Sequence, residues 1–322
     1  MNIGQKQRVQ ERIALGARRI VNILQKHGIA TMRMLEQKIA DAGPTPQRID
    51  PHILTKSRIE LVNHGYLQAR AAGNTQWYSL TKAKPEVVET RFQELSAIQK
   101  QTERRNFTDR MGDTAEIAVM MAMQANKLPF VGHFSDLDKH GDDLRYIKHD
   151  PDFFSGIPII GGKLDFILFD REVGGLGIEI KNIREWIYPE KQLVKDLLSK
   201  CLDIDVIPVL IARRIHYTTF SILNACGAIV HQFYNQRYPN SEAELAALVS
   251  HKECLGYFDI RVGNDPDERM LRFFGNSIPL AAPRMREIFD QQKDLISDYV
   301  NNRMAYVEFE RRLRGEWKEK EE

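Results

Sequence analysis

The sequence predicts an α/β protein: a mixed sheet flanked by helices, preceded by a small helical domain and followed by a helical extension. Near the N-terminus, apolar residues recur at helical spacing from Ile13 to Leu24. In the middle of the chain, two strand-like segments, LDFILFD and LGIEIKN, are separated by the turn sequence REVGG. Beyond them, helical and strand patterns alternate, which is typical of a sheet covered by helices.

Length and composition are those of an ordinary globular protein. The chain has 322 residues, of which 43% are hydrophobic and 28% charged, and it lacks an apolar run long enough to cross a bilayer. The N-terminal segment is polar and basic, unlike a secretion signal, so we expect a cytoplasmic protein with no membrane partner. Its three cysteines are far apart in apolar contexts, which predicts free buried thiols.

The formal net charge of +2 conceals an uneven distribution of charge along the chain. Residues 1–82 carry 13 lysines and arginines against 5 acidic residues, whereas the remainder carries 33 against 39. The first part is therefore the one that attracts phosphate, and the remainder has carboxylates in excess that could hold cations.

Residues 1–82 have the pattern of three helices followed by a hairpin. The second helix begins at Thr31, whose hydroxyl can cap it, and the chain is broken by glycine and prolines at residues 43–46. The third helix begins with Asp50 as its cap, and a proline follows at the first helical position. The hairpin after it turns at a Gly-Asn pair that ends with Asn74.

This order of elements resembles the winged helix-turn-helix family. The resemblance implies a DNA-binding domain whose third helix approaches a groove and whose hairpin, the wing, touches the DNA backbone. Winged helices also mediate protein contacts, and that alternative stays open. The residues of this domain that we expect to contact DNA are Thr55, Lys56, Arg58, Arg70 and Gln76.

The rest of the chain divides into three segments. Residues 83–112 are highly charged with sparse apolar residues, which predicts a helical connector. Residues 113–264 form the predicted α/β core, which opens with an apolar helix beginning at Asp113. Residues 265–322 carry apolar residues at helical spacing and predict a C-terminal helical extension that packs on the core or forms a dimer interface.

The two strand-like segments predict a β-hairpin that carries charged residues among apolar ones. Asp165 lies on the first arm, and Glu179 and Lys181 lie two apart on the second, so the latter two project from one face. Two carboxylates can hold Mg²⁺, which lowers the pKa of a bound water and neutralises charge on a phosphate. An ammonium on the same face can orient that water and stabilise the oxyanion. The arrangement therefore favours metal-dependent phosphodiester hydrolysis.

Here the sequence resembles the PD-(D/E)xK nucleases, in which an aspartate is followed by Glu-x-Lys on the next strand. The helix, hairpin, helix, strand, helix and strand pattern from residue 113 to about residue 230 is also similar to that family's restriction-endonuclease-like core. The resemblance implies that Asp165, Glu179 and the carbonyl of Ile180 are metal ligands and that Lys181 is the activating cation. It implies Mg²⁺ as the cofactor, with Mn²⁺ as a substitute.

Other positions around the motif have alternative interpretations. Asp152 follows a literal proline and could replace Asp165 as the motif aspartate, although it lies in a predicted loop. Glu116 matches an additional acidic metal ligand of the family, or else closes a capping box that begins at Asp113. Gln192 matches a polar residue used near the scissile phosphate, or is an exposed helix glutamine. Arg184 could hold backbone phosphate, or form a surface ion pair.

These resemblances together imply an endonuclease that hydrolyses double-stranded DNA, in a setting such as restriction or anti-phage defence. We expect a homodimer, because dimerisation would let two active sites cut two strands, and partner proteins of a defence system are a further expectation. Two alternatives remain: a non-catalytic DNA-binding regulator with a nuclease-like core, and a nuclease subunit whose winged helix binds a protein.

Overall fold

The computed structural model describes residues 3–39, 49–73, 75–139, 141–159 and 162–315, with side chains from residue 7 onward. The predicted chain break at residues 43–46 and the predicted turn residue Asn74 lie outside the described residues. Within the described ranges, no helix combines the length and the apolar character needed to span a membrane.

The structure is a mixture of helices and strands, as the sequence predicts. The helices are α1 (Ile3–His27), α2 (Met32–Ile39), α3 (Pro51–Asn63), α4 (Pro85–Thr102), α5 (Arg105–Ala125), α6 (Gln192–Asp203), α7 (Tyr217–Ala225), α8 (Ala243–Ser250), α9 (Glu268–Arg272), α10 (Ile278–Val300) and α11 (Tyr306–Leu313). A 3₁₀ turn covers Asn240–Glu242, and a π-helical turn, Phe273–Ser277, joins α9 to α10.

The strands are mostly short. They are β1 (Ile29–Thr31), β2 (Leu67–Ala72), β3 (Thr75–Leu80), β4 (Phe130–Val131), β5 (His133–Ser135), β6 (Ile147–His149), β7 (Phe153–Phe154), β8 (Ile157–Pro158), β9 (Phe166–Asp170), β10 (Gly174–Lys181), β11 (Ile207–Ala212), β12 (Ile229–Gln232), β13 (Gln236–Tyr238) and β14 (Ile260–Val262).

The chain forms two compact units whose boundaries differ from the predicted segments. The first unit contains residues 1–107 and 244–260, and the second contains residues 108–243 and 261–322. The predicted connector, 83–112, is therefore divided between the units, and part of the predicted core belongs to the first unit. That return segment is held by hydrogen bonds that a sequence pattern does not reveal, such as Lys38 Nζ to the carbonyl of Lys252 at 2.7 Å.

The first unit contains the helices and the hairpin predicted for the N-terminal domain. Strands β2 and β3 form the antiparallel hairpin, and β1 pairs with β3 to complete a three-stranded sheet. The predicted cap at Thr31 is confirmed, since its Oγ1 accepts a hydrogen bond from Met34 N at 3.2 Å. The predicted side-chain cap at Asp50 is wrong, because its carboxylate makes no cap hydrogen bond and instead pairs with Arg12 at 3.1 Å.

The second unit is built on a five-stranded mixed sheet with the order β12-β11-β10-β9-β4. Strands β9 and β10 form the predicted antiparallel hairpin, whereas β10, β11 and β12 run parallel. Strands that are buried on both faces are almost entirely apolar, and every residue of β11 is buried. One face packs against α5, and the other packs against α6 and α10.

The helix that opens the second unit begins earlier than predicted. Helix α5 starts at Arg105, not at Asp113, because Phe107 and Met111 are buried and continue the apolar face toward the N-terminus. Asp113 and Glu116 therefore lie inside the helix, and the capping-box interpretation of this pair is wrong.

The C-terminal residues that the structure describes are helical, and they pack on the sheet of their own unit. Phe289, Ile296 and Tyr299 of α10 are buried in the same apolar cluster as Leu197 of α6 and Leu210 of β11. These contacts account for the apolar spacing of the C-terminal segment.

Candidate active site

The hairpin of β9 and β10 brings the motif residues together. Ile178 pairs with Phe166 in the register of the two strands, and Asp165 N donates to the carbonyl of Ile178 at 3.0 Å. Asp165 thus lies just ahead of β9, across from Glu179. Directly opposed residues of antiparallel strands share a face, so the hairpin pairing places the two carboxylates side by side.

The Asp165 carboxylate joins the strand backbone to a lysine. Its Oδ2 accepts from Ile180 N at 2.6 Å, and its Oδ1 lies 2.5 Å from Lys148 Nζ. Because the N–H and C=O groups of one strand residue point to the same edge, the carbonyl of Ile180 also points toward the Asp165 edge. The carbonyl of Ile180 and the carboxylate of Asp165 therefore lie at the same edge of β10, and the role of this carbonyl as a metal ligand stays a prediction.

Glu179 is held between two lysines. Its Oε1 accepts from Lys181 Nζ at 2.5 Å and its Oε2 from Lys200 Nζ at 2.7 Å. Burial alone would raise the pKa of Glu179, but the charges of Lys181 and Lys200 outweigh it and leave the pKa lowered. Glu179 is therefore an anion, which is the form that binds a cation.

Lys148, on strand β6, places its ammonium among three carboxylates. Its Nζ lies 2.8 Å from Glu116 Oε2, 2.9 Å from Asp150 Oδ1 and 2.5 Å from Asp165 Oδ1. Its side chain is only 15% exposed, so water screens these ion pairs weakly. The pKa of Lys148 is raised, because Asp165 and Glu116 outweigh the effect of burial, and the ammonium stays charged.

The other two carboxyl groups of the site, Glu116 and Asp165, have raised pKa values. Burial, followed by the negative charge of Asp165, raises the pKa of Glu116 to about 8. Burial and the charge of Glu179 raise the pKa of Asp165, against the opposing effect of Lys148. Each like charge makes the next carboxylate harder to ionise, so an additional cation at this place would be stabilised.

The surrounding structure fixes the end of β10. Asn182, next to Lys181, donates from Nδ2 to the carbonyls of Met111 and Arg237, both at 2.7 Å, which ties β10 to α5 and to β13. On the other side, a Cβ on Gly177 would lie 2.8 Å from the sulfur of Cys201. A glycine is needed there because α6 packs closely on β10, and this packing brings Lys200 to Glu179.

The other predicted site residues have different fates. Glu116 faces the site from α5. Asp152 has a side chain that is 61% exposed and lies 3.4 Å from Lys163, so Asp165 and not Asp152 lies beside Glu179. Gln192 is exposed at the start of α6 and donates to Asp196 at 2.7 Å, and its role near the scissile phosphate stays a prediction. Arg184 is half-buried, and its Nε donates to Gln236 at 2.9 Å, and its contact with backbone phosphate stays a prediction.

The residues that were predicted to contact DNA lie on α3 and on the hairpin of the first unit. Lys56 is exposed, whereas Thr55 is half-buried and bonds to the carbonyl of Pro51 in its own helix. Arg58 Nη1 donates to the hydroxyl of Tyr78 at 2.9 Å, and that hydroxyl donates to Gln76 at 2.7 Å. Arg70 pairs with Glu89 and stacks on Phe92, with 3.7 Å between its guanidinium carbon and the ring centroid. Lys56 is thus the most available of these cations.

The donors around Asp165 fit a hard divalent cation in their chemistry. Carboxylate oxygens of Glu116, Asp165 and Glu179, with the carbonyl of Ile180, are the oxygen donors that Mg²⁺ prefers. In the arrangement shown, no group of three or more His, Cys, Asp or Glu side chains among the described residues is set to hold a metal ion. Each carboxylate faces a lysine instead, so a cation would have to displace the ammonium of Lys148.

Sequence reasoning missed Lys148, Asp150 and Lys200. Lys148 and Asp150 lie in the polar segment between α5 and β9, where charged residues are common and none stands out. Lys200 gives a weak signal, because it occupies a position on the apolar face of α6 between Leu197 and Cys201. A lysine on such a face is uncommon unless it is paired.

Comparisons of the chain with models of known families, with curated proteins and with solved structures find no match.

Proposed function

We propose that the protein is a Mg²⁺-dependent nuclease that hydrolyses phosphodiester bonds of double-stranded DNA. The observation that carries this proposal is the convergence of Asp165, Glu179 and Lys181 at the end of one hairpin, with Glu116 facing them from α5. Buried carboxylates with raised pKa values beside lysines are typical of catalytic sites.

The fold around the site supports the same class. In the second unit, α5, the β9–β10 hairpin, α6, β11, α7 and β12 follow the order of a restriction-endonuclease-like core. In the first unit, α1, α2, α3 and the β2–β3 hairpin follow the order of a winged helix. We propose these two assignments on the basis of element order and strand pairing.

The chain's own residues have distinct roles in this proposal. Glu116, Asp165, Glu179 and the carbonyl of Ile180 would hold Mg²⁺, which when bound supplies an activated water and offsets charge on the phosphate. Lys181, 30% exposed at the end of β10, orients the attacking water and stabilises the oxyanion that forms on phosphorus. Lys200, which is 7% exposed, keeps Glu179 in position and ionised, and it does not reach solvent to contact DNA.

Binding of DNA is attributed to the basic first unit. Its residues 1–82 carry a net charge of +8, which favours association with the phosphate backbone. Lys56 on α3 is exposed and is the side chain that we expect to reach the DNA first.

The direct test is cleavage of supercoiled plasmid with Mg²⁺ and with EDTA. We compare the wild-type chain with Lys181→Met and Glu179→Gln. Lys139→Met is the matched control, because this lysine is 68% exposed and pairs only with Asp136 among the contacts shown. We expect Mg²⁺-dependent cleavage by the wild-type and control proteins and a loss of about 100-fold or more in both site variants. Equal cleavage by all four proteins would assign the activity to a contaminant.

One observation favours a second candidate, a DNA-binding regulator without catalysis. Lysines already pair with Asp165 and Glu179, so the charges of these two carboxylates are offset without a metal. Wild-type protein that binds the plasmid but does not cleave it with Mg²⁺ or Mn²⁺ would support this candidate over the nuclease.

A further inference from the structure

A cavity of the second unit opens beside β12, the strand at one edge of the five-stranded sheet. It has a volume of about 440 Å³, within the range of small-molecule sites, and lies between α7 and the π-helical turn Phe273–Ser277. Within the described part of the chain, no strand pairs with the outer edge of β12. This cavity is not lined by any of the catalytic, metal-binding or DNA-binding residues predicted from the sequence.

The lining of the cavity combines guanidinium groups with aromatic rings. Arg269 and Arg272 are exposed at one wall, and Phe220, which is 38% exposed, stands on another. Arg272 lies 3.8 Å from the carboxylate of Glu268, whose side chain is 82% exposed. A phosphate could displace that carboxylate, because such surface ion pairs contribute little in water.

Tyr234, next to Arg269, has an unusual backbone conformation. It has φ of +65°, which is rare for a bulky residue, in a tight turn where Asn235 N donates to the carbonyl of Phe233 at 2.8 Å. Its ring lies 5.2 Å from the guanidinium carbon of Arg269 and 5.2 Å from that of Arg214. Strained backbone of this kind persists where the surroundings impose it, often at binding sites.

Polar side chains complete the lining of the cavity. His231 stacks on Phe273 with 4.2 Å between ring centroids, and its buried Nε2 has no hydrogen-bond partner among the described residues. Burial lowers the pKa of His231 to about 4, so the ring is neutral at neutral pH. Gln232 uses its Oε1 to accept from Ile215 N, which directs its amide group, and Asn276 lies on the π-helical turn.

The cavity is close to the candidate active site along the sheet. Lys181 pairs with Ala212 in the register of β10 and β11, and Ala212 pairs with Gln232 in that of β11 and β12. Two strand spacings separate Lys181 from Gln232, which is roughly 10 Å. A DNA strand at the active site could therefore place a neighbouring nucleotide at this cavity.

We propose that the cavity beside β12 binds a single nucleotide unit, with its phosphate on Arg269 and Arg272 and its base against Phe220. A ring face for stacking, cations for phosphate and polar groups for base edges are the features by which proteins hold an unpaired nucleotide. The assignment of the nucleotide to a DNA strand rests on the proposed function, whereas the ligand chemistry rests on the lining alone. An unpaired or extruded nucleotide fits better than a paired one, because only its base has a free face and edge.

The test measures binding in EDTA, which prevents Mg²⁺-dependent cleavage, so that loss of the probe by cleavage cannot affect the measured affinity. The probes are a fluorescein-labelled duplex with one unpaired nucleotide and the same duplex fully paired, both followed by anisotropy. The variant Arg269→Gln/Arg272→Gln is compared with Arg284→Gln/Arg303→Gln, which removes the same charge from exposed positions of the C-terminal helical region. A third variant, Phe220→Ala, tests stacking without any change of charge.

We expect wild-type protein to prefer the duplex with the unpaired nucleotide. The first double variant and Phe220→Ala should each lose roughly 10-fold in affinity for that probe, and the control pair should change by less than about twofold. Equal losses in both double variants would reduce the effect to general electrostatics and overturn the proposal, as would unchanged affinity in Phe220→Ala.

Competition identifies the source of the nucleotide. Displacement of the probe by deoxyadenosine monophosphate, but not by deoxyadenosine, would show that a free nucleotide is sufficient. A preference for the unpaired duplex without such displacement would assign the site to a nucleotide within a strand. Cleavage by wild-type protein and its loss in Lys181→Met are measured separately, so failure of the pocket and failure of the nuclease proposal are distinguishable.

Discussion

The ion pair of Lys200 and Glu179 at the candidate active site of the second unit is buried, whereas the ion pair of Arg70 and Glu89 in the first unit is exposed. In the first unit, Arg70 and Glu89 form a pair whose side chains are 47% and 51% exposed. In the second unit, Lys200 and Glu179 form a pair whose side chains are 7% and 11% exposed. Exposed pairs contribute about 0–1 kcal/mol, whereas buried ions cost several kcal/mol in desolvation that only good geometry offsets. A buried cluster of charges costs several kcal/mol in desolvation and contributes little net stability. Its presence is therefore better explained by function than by folding.

The largest expected effect is the loss of Lys148. We expect Lys148→Met to lower the free energy of unfolding by about 3–5 kcal/mol in EDTA, because it leaves Glu116 and Asp165 buried without their cation. Amide hydrogen exchange resolved by peptide should show the loss in α5 and the β9–β10 hairpin, not in the first unit. If Mg²⁺ binds where Lys148 Nζ lies, added Mg²⁺ should restore more stability to the variant than to the wild type. An equal loss in Lys139→Met would remove the contrast between buried and exposed pairs.

The second effect is a decrease in the free energy of unfolding of the second unit as the pH rises from about 4.5 to about 8. Glu116 has a folded pKa of about 8 against about 4.5 when unfolded, so the folded state binds the extra proton between these values. Its contribution is fully present below pH 4.5 and is lost as the pH rises through 8. We expect urea denaturation in EDTA to show a decrease on the order of a few kcal/mol from pH 5 to pH 9.

Glu116→Gln should abolish most of this pH dependence, since the amide does not ionise. The control Glu172→Gln, at an exposed position before β10, should retain it. Identical pH profiles of the wild type, Glu116→Gln and Glu172→Gln would contradict a raised pKa of Glu116 in the folded state.

The third effect has the opposite sign and belongs to the first unit. Burial, then the charge of Lys38, lowers the pKa of His27 to about 4 from 6.5. The unfolded state therefore binds the extra proton between pH 6.5 and pH 4, and stability is lost as the pH falls through this window. The loss is at most about 3 kcal/mol, and hydrogen exchange in α1 should report it. His27→Gln should flatten the acid limb, and a limb that is unchanged would place its origin elsewhere.

The smallest effect is expected for surface cations of the first unit. Lys56→Ala should change the free energy of unfolding by less than about 0.5 kcal/mol, because the side chain is exposed. If Lys56 contacts a phosphate, the slope of log affinity for duplex DNA against log salt should fall by roughly 1. Glu60→Gln on the same helix is the control, and an unchanged slope in Lys56→Ala would exclude a phosphate contact.

Much of the backbone could be predicted because it follows from local patterns. Strands β9 and β10 are marked by apolar runs around a glycine turn, and the alternation of side chains along a strand places Glu179 and Lys181 on one face. That regularity was sufficient to place Asp165, Glu179 and Lys181 in one cluster. The boundary of α5 was misplaced, since Phe107 and Met111 lie in a charged segment that hides their helical spacing.

The rest of the site depends on long-range contacts. Lys148 reaches Asp165 from a short strand 17 residues away, and Asp142 and Arg110 fix the loop ahead of that strand through hydrogen bonds that no periodicity records. Arg184 and Gln192 form hydrogen bonds with Gln236 and Asp196, which the sequence pattern does not predict. Partner choice of this kind is set in three dimensions and cannot be read along the chain.

The division of the first unit between residues 1–107 and 244–260 constrains the order of events during synthesis. The ribosome must produce more than a hundred intervening residues before Tyr257 can donate its hydroxyl hydrogen to Gln99, or the carbonyl of Lys252 can accept from Lys38. The N-terminal helices are therefore synthesised well before the residues that complete their unit. Interruption of translation before residue 260 leaves the first unit incompletely packed, a state that chaperones or proteases would recognise.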